Sequence, residues 1–264
     1  MNTETSIELT EDQIEFYANN GYIQIDNILS QVELDELTAI TDELNEKLEA
    51  ELPPMEERGA YDQVFLQVVN AWRRDERFRK FSQHPVLADV ARRLLKAKKV
   101  RLFHDHLMTK FPSKDGKPTT WHQDFPYWPM NEPGAMSIWI PMQDVDLANG
   151  CMSFVPGSHA WDINETIDLS GVRGDDIFEQ VKDKPAHEVQ RVYCPLKRGS
   201  VTFHDGRTFH YAGKNTSDEP RRVLSIICML DGTTYDGKPH TLTDGIDDLK
   251  TGDAFSGDLF PIIG

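Results

Sequence analysis

His122 and Asp124 flank Gln123 in the aromatic stretch TTWHQDFPYW, which runs from Thr119 to Trp128. Imidazole and carboxylate are both metal ligands, and on a strand side chains two positions apart face the same way. Two histidines and one carboxylate on one face of an iron leave other coordination positions open, the arrangement of non-haem Fe(II) oxygenases. The pair therefore calls for a third ligand from a later strand. His210, in GSVTFHDGRTFHYAGKN, follows a strand-like run and is the favoured candidate, with His204, His104 and His106 as rivals. Arg221 comes eleven residues after His210, at the head of RRVLSIICML. A guanidinium there suits the distal carboxylate of a dicarboxylate cosubstrate, which it grips with two parallel hydrogen bonds where lysine offers a point charge. Arg222 competes for that role, because strand alternation turns only one of the two inward.

These residues need strands to carry them. Thr10 with Gln13 reads as a helix start and Gly21 as its stop, followed by a short strand at Tyr22–Ile25. Ser30 caps a second helix, in which Leu34, Leu37, Ile40 and Leu44 recur at helical spacing up to Pro53-Pro54. Residues 61–98 read as helical again, with His84 before a helix-starting proline. From Val100 the runs VRLFHDHLMTKF, AMSIWIPMQDV, CMSFVPGSH, VQRVYCPL, GSVTFHD and RRVLSIICML are strand-like, separated by turn residues. Asn149-Gly150, between two such runs, predicts a hairpin. Helices first and strands after, without alternation, predict a mainly β fold with an N-terminal helical cover, a jelly roll or double-stranded β-helix. The expectation is one domain over 1–264: a largely helical cover at 1–99, a β core with the site at 100–235, and a tail at 236–264.

The 264 residues are 39% hydrophobic and 27% charged, an ordinary globular balance. A formal net charge of -16 argues against nucleic acid and against an anionic membrane surface as partners. Cys151, Cys194 and Cys228 are too scattered for a disulfide framework or a zinc knuckle and read as buried small hydrophobes. With no long apolar run and a polar, acidic N-terminus, the expected location is the cytoplasm. No obligate protein partner is evident. His159 reads as a structural hydrogen bonder, and His187 and His240 as residues of polar loops.

WHQDFPYWP, NGCMSFVPGSH and FHYAGKNTSDEPRR, in this order, resemble the phytanoyl-CoA dioxygenase family of Fe(II)- and 2-oxoglutarate-dependent oxygenases, and the resemblance runs from FYANNGYIQI to GDAFSGDLFPII. It implies His122, Asp124 and His210 as iron ligands and Arg221 as the grip on the C5 carboxylate of 2-oxoglutarate. It also points to Trp139, His106, Gln123 and Gln67 as cosubstrate neighbours. The implied reaction uses O2, releases succinate and CO2, and hydroxylates an unactivated C–H bond of a small molecule. Desaturation and cyclisation share the same oxidant. Asp124 argues against halogenation, since halogenating relatives lack this carboxylate. Many relatives carry a serine two residues after the distal histidine; Ala212 stands there, and His106 or Thr202 are the candidates to replace its hydrogen bond. Phe125, Tyr127 and Trp128 are expected to line the substrate entrance, with Trp121 in the core. Two readings from other classes are a catalytic zinc hydrolase, for which Arg221 has no use, and a non-catalytic metal-binding barrel.

Overall fold

The computed structural model describes residues 7–264 apart from 55–56, 59–64, 114–117, 164–165, 167–176, 178–180, 182–183 and 186–187, so His187 and residues 61–64 lie outside the described residues. Helix α1 (Glu11–Asn20) opens on a reciprocal capping box between Thr10 and Gln13 and closes on Gly21 at φ 75. Strand β1 (Tyr22–Ile25) follows. Ser30 and Glu33 cap α2 (Gln31–Glu51) in the same reciprocal way. Two short helices, α3 (Ala71–Arg74) and α4 (Arg79–Ser82), precede α5 (Pro85–Leu94), whose first turn donates the Leu87 amide to the His84 ring. The expectation of helix from 61 onward is corrected at Phe65–Val69, which is strand β2. Its alternation, with Phe65, Gln67 and Val69 on one face, is the period-2 signal that the flanking helical residues mask.

The remaining strands are β3 (Val100–Lys110), β4 (Thr119–His122), β5 (Met136–Pro141), β6 (Met152–Phe154), β7 (Val192–Cys194), β8 (Val201–Asp205), β9 (His210–Ala212) and β10 (Arg221–Leu230). They form a six-stranded sheet, β1-β8-β5-β10-β3-β2, facing a four-stranded sheet, β4-β9-β6-β7. Every pairing is antiparallel, which makes this a jelly roll. The outer face of the large sheet buries Leu107, Ile138, Leu224 and Ile226 under Leu34 and Leu37 of α2 and Leu87, Ala91 and Leu94 of α5. Each such side chain contributes roughly 1.5–3 kcal/mol by leaving water.

Asn149-Gly150 is not a hairpin. β5 pairs with β8 and β10, whereas β6 pairs with β7 and β9, so the dipeptide lies on the passage from one sheet to the other. Gly150, at φ 83, is demanded by close approach: a Cβ there would stand 2.3 Å from the Gly213 carbonyl oxygen. Asn149 turns back on its own loop and donates to the Asp144 carbonyl.

The inner face of the large sheet is a grid of rows fixed by register. Phe65, Lys110 and Arg221 form one row across β2, β3 and β10; Gln67, Met108 and Val223 the next; Val69, His106, Ser225 and Trp139 a third; His104, Ile227, Ser137 and His204 a fourth. Past the fourth row the pairing slips between Ile227 and Cys228, leaving Phe103 unpaired as a β-bulge. Residues 236–264 return along β3: the Leu102 amide donates to the Pro261 carbonyl and the Ile263 amide to the Val100 carbonyl. Phe255 and Phe260 pack on Phe103. Among the described residues no helix is long and apolar enough to cross a membrane.

Candidate active site

Between the sheets lies a cavity of about 340 Å³. His122 ends β4 and His210 begins β9, and the two are cross-strand partners with ring centroids 4.1 Å apart. Both rings are fixed in the same way. Nδ1 of His122 donates to the Thr120 carbonyl at 2.7 Å, and Nδ1 of His210 to the Thr208 carbonyl at 2.9 Å. Because a carbonyl only accepts, each Nδ1 carries the proton and each Nε2 keeps its lone pair for a metal. Both Nε2 atoms stand 3.4 Å from Asp124 Oδ1. His122, Asp124 and His210 thus offer one ligand atom each, all within 4.8 Å of one another, the only such group among the described residues.

The second carboxylate oxygen is held from behind. Ser137 Oγ donates to Asp124 Oδ2 at 2.7 Å, and Nε2 of His204 lies 3.6 Å from the same oxygen. His204, the rival for third ligand, therefore supports the carboxylate and leaves Oδ1 to His122 and His210. Burial works to raise the Asp124 carboxyl, yet facing His210, His122 and His204 it is held well below the usual range. Desolvation, and then His210, lower His122, which keeps it neutral as a ligand must be.

Arg221 points inward and Arg222 outward, where its Nε donates to Asp42. The guanidinium of Arg221 is 2% exposed and donates through Nη1 to the Gly150 carbonyl; its Nε has no partner. Its central carbon lies 5.5 Å from the Trp139 ring centroid. Burial pushes this guanidinium down to about 10, opposed by the Cys151 thiol and by no carboxylate.

Of the other expected residues, Trp139, His106, Gln67, Tyr127 and Trp128 line the cavity. Gln123 and Phe125 do not. Gln123 follows the last residue of β4, and its amide donates to the Arg207 carbonyl at 2.6 Å. Phe125 packs with Trp128, Phe103 and Met130 in the apolar cluster under the entrance. Trp121 is core, stacked on Tyr211. His159 bonds the Ala18 carbonyl, as its structural reading expects.

Residues that motif reading did not assign complete the cavity: His104, Ser137, Ser225 and, from the C-terminal segment, His240 and Leu242. Period-2 alternation from His106 would have found His104. The tail has no periodicity that aims His240 at the site. Desolvation lowers His104 to about 3 and His106 to about 4, so both rings stay uncharged at neutral pH.

A jelly roll with a His-Asp-His cluster opposite a buried arginine defines an iron- and 2-oxoglutarate-dependent oxygenase. The phytanoyl-CoA dioxygenase (PhyH) family model matches residues 17–223, and the chain belongs to that family. It is 26% identical to ectoine dioxygenase of Bordetella parapertussis, over 94% of this chain and 84% of that one. It is 25% identical to a probable alpha-ketoglutarate-dependent hypophosphite dioxygenase of Stutzerimonas stutzeri, over 80% of this chain and 75% of that one. Among solved structures, the alpha-ketoglutarate-dependent carbocyclase SnoK from nogalamycin biosynthesis superposes with a TM-score of 0.78 and 31% identity over 97% of both chains. The epimerase SnoN, in complex with Fe3+, alpha-ketoglutarate and nogalamycin RO, does so with a TM-score of 0.76 and 29% identity, over 96% of this chain and 98% of that one. The ligand set here fits the same metal: two imidazole Nε2 atoms with fixed tautomers and one carboxylate oxygen.

Proposed function

We propose that the protein hydroxylates an unactivated C–H bond of a small molecule, with His122, Asp124 and His210 holding iron and Arg221 holding the distal carboxylate of 2-oxoglutarate. The observation that carries this reading is the convergence, in one cavity, of three ligand atoms with an inward guanidinium whose Nε is buried and unpaired. Iron with 2-oxoglutarate and O2 supplies the oxidant and releases succinate and CO2. The chain's own residues hold and exclude. Trp139 flanks the guanidinium, Ser137 and His204 keep the Asp124 carboxylate turned, and the apolar walls keep water from the reacting centre.

The substrate end of the cavity favours a molecule with an apolar or aromatic body and a few neutral polar groups. Tyr127 and Trp128 supply flat walls. His104 donates Nδ1 to the Asp105 carbonyl, which leaves its Nε2 as an acceptor for a substrate hydroxyl. Nδ1 of His240 accepts from the Leu242 amide, which leaves its Nε2–H as a donor. Asp124 occupies the position a halide would need, so oxygen transfer is the outcome retained here over halogenation; carbocyclisation and epimerisation are what SnoK and SnoN are described as doing.

The test is an anaerobic titration of Fe(II) and 2-oxoglutarate, watching for the weak visible band of the chelate. Wild type should develop the band, His210→Ala should not, and Arg221→Ala should need far more 2-oxoglutarate. A succinate-release screen over neutral aromatic and alicyclic compounds then identifies the substrate. Tight zinc binding with no chelate band would overturn the reading.

A further inference from the structure

Lys110 has no role in the chemistry described so far, and its setting is unusual for a lysine. It is 0% exposed, among the largest fully buried side chains of the protein. It sits in the innermost row of the large sheet, as the direct cross-strand partner of Arg221 on one side and Phe65 on the other. Residues 104, 106 and 108 of the same strand face the cavity, so alternation turns Lys110 to that side too. Its ammonium lies 4.5 Å over the Phe65 ring and donates to the Gly213 carbonyl at 2.7 Å, with the Ala212 carbonyl at 3.5 Å.

Arg221 is held by the carbonyl of Gly150, the residue that presses against Gly213. Arg221 lines the cavity and Lys110, outside the lining, stands directly beside it on the next strand, so two buried cationic side chains are neighbours at this end, each tethered by a backbone carbonyl of one of two touching glycines. Among the described residues neither forms an ion pair. Uncompensated buried charge is costly, and each cation makes the other worse. Burial and the Arg221 charge both press Lys110 well below the usual lysine range.

The missing serine hydroxyl at Ala212 falls at this same end. Of the two residues suggested to replace it, His106 lines the cavity two rows from Arg221 with its Nε2 unpartnered, and Thr202, the cross-strand partner of Trp139, lies outside the lining.

We propose that Lys110 is a positioning residue for 2-oxoglutarate: from beside Arg221 it adds a second positive charge behind the cavity wall, in place of an arginine and a hydroxyl, and so selects a dicarboxylate over a monocarboxylate 2-oxo acid. This rests on the oxygenase reading above.

The test is equilibrium binding to the Fe(II) protein without O2, comparing 2-oxoglutarate with 2-oxobutyrate, which lacks the distal carboxylate. Lys110→Gln keeps a donor for Gly213 while removing the charge, and Lys110→Met removes both. In Lys110→Gln, affinity for 2-oxoglutarate should fall roughly 10- to 100-fold, the worth of one nearby buried charge acting without contact, while 2-oxobutyrate and Fe(II) bind as in wild type. Adding Ala212→Ser should restore part of the preference, which a merely structural lysine would not allow. Equal loss for both 2-oxo acids, or no loss in Lys110→Gln beside a loss of folding in Lys110→Met, would overturn the proposal and leave Lys110 a prop for Gly213. Should wild type bind neither 2-oxo acid, the oxygenase reading itself fails, an outcome distinct from either.

Discussion

The floor and the mouth of the cavity are made differently. The floor, from Arg221 to His122 and His210, stands on paired strands whose register fixes each neighbour. The mouth is made of Tyr127 and Trp128 from the turn after β4 and His240 and Leu242 from the C-terminal segment, held by an apolar cluster around Phe103, Phe255 and Phe260. Ladder hydrogen bonds define position to a fraction of an ångström, while aromatic packing tolerates exchange of one large side chain for another. The difference sets the candidate metal ligands on the register-fixed part and the aromatic entrance on the part that tolerates exchange.

Perturbing the two regions should give different signatures. The largest effect belongs to the metal end: His210→Ala or Asp124→Ala should abolish both coupled and uncoupled succinate formation, with iron content measured beside it. Arg221→Ala should raise the KM for 2-oxoglutarate roughly 100-fold or more, since it removes the charge partner of a buried carboxylate, and leave iron affinity near wild type. Ser137→Ala, which frees Asp124 Oδ2, should weaken iron binding about 10-fold in a chelator competition. At the mouth, Trp128→Ala should raise the substrate KM roughly 10-fold yet spare uncoupled 2-oxoglutarate turnover; loss of that turnover would erase the distinction between the regions.

The smallest effect is on stability against pH. His104 has a folded value of about 3 against an ordinary 6.5, so the unfolded chain binds more protons between those values. Stability should therefore fall as pH drops through that window, and His104→Gln should flatten the fall of Tm without altering it above pH 7.

What the sequence disclosed follows the same division. H-x-D could be read because the residue types and spacing suit metal ligands, although β4 ends at His122 and Asp124 already has helical backbone, and Arg221 because a strand presents every second residue. Gln123 and Phe125 were misplaced by proximity to the ligands: both follow the strand's end, the first bonding the Arg207 carbonyl and the second dropping into the apolar cluster. Ser137, His204 and Lys110 act through partners 13, 80 and 103 residues distant or more, and only the pairing of sheets brings them together. Asn149-Gly150 carried a hairpin's composition, but its glycine answers to Gly213 across the sandwich. β2 hid inside a helical stretch because five residues are too few to outweigh their flanks.

The unpaired Phe103 divides β3 into two segments whose facing need not agree. Inward of it the strand serves the iron and the carboxylate; outward it serves the aromatic cluster and the returning tail. A single inserted residue thus works as a seam. Exchange of the tail or of the turn after β4 would alter the mouth while leaving the paired strands beneath it in register, and chimeras joined at this seam are where a designer would begin.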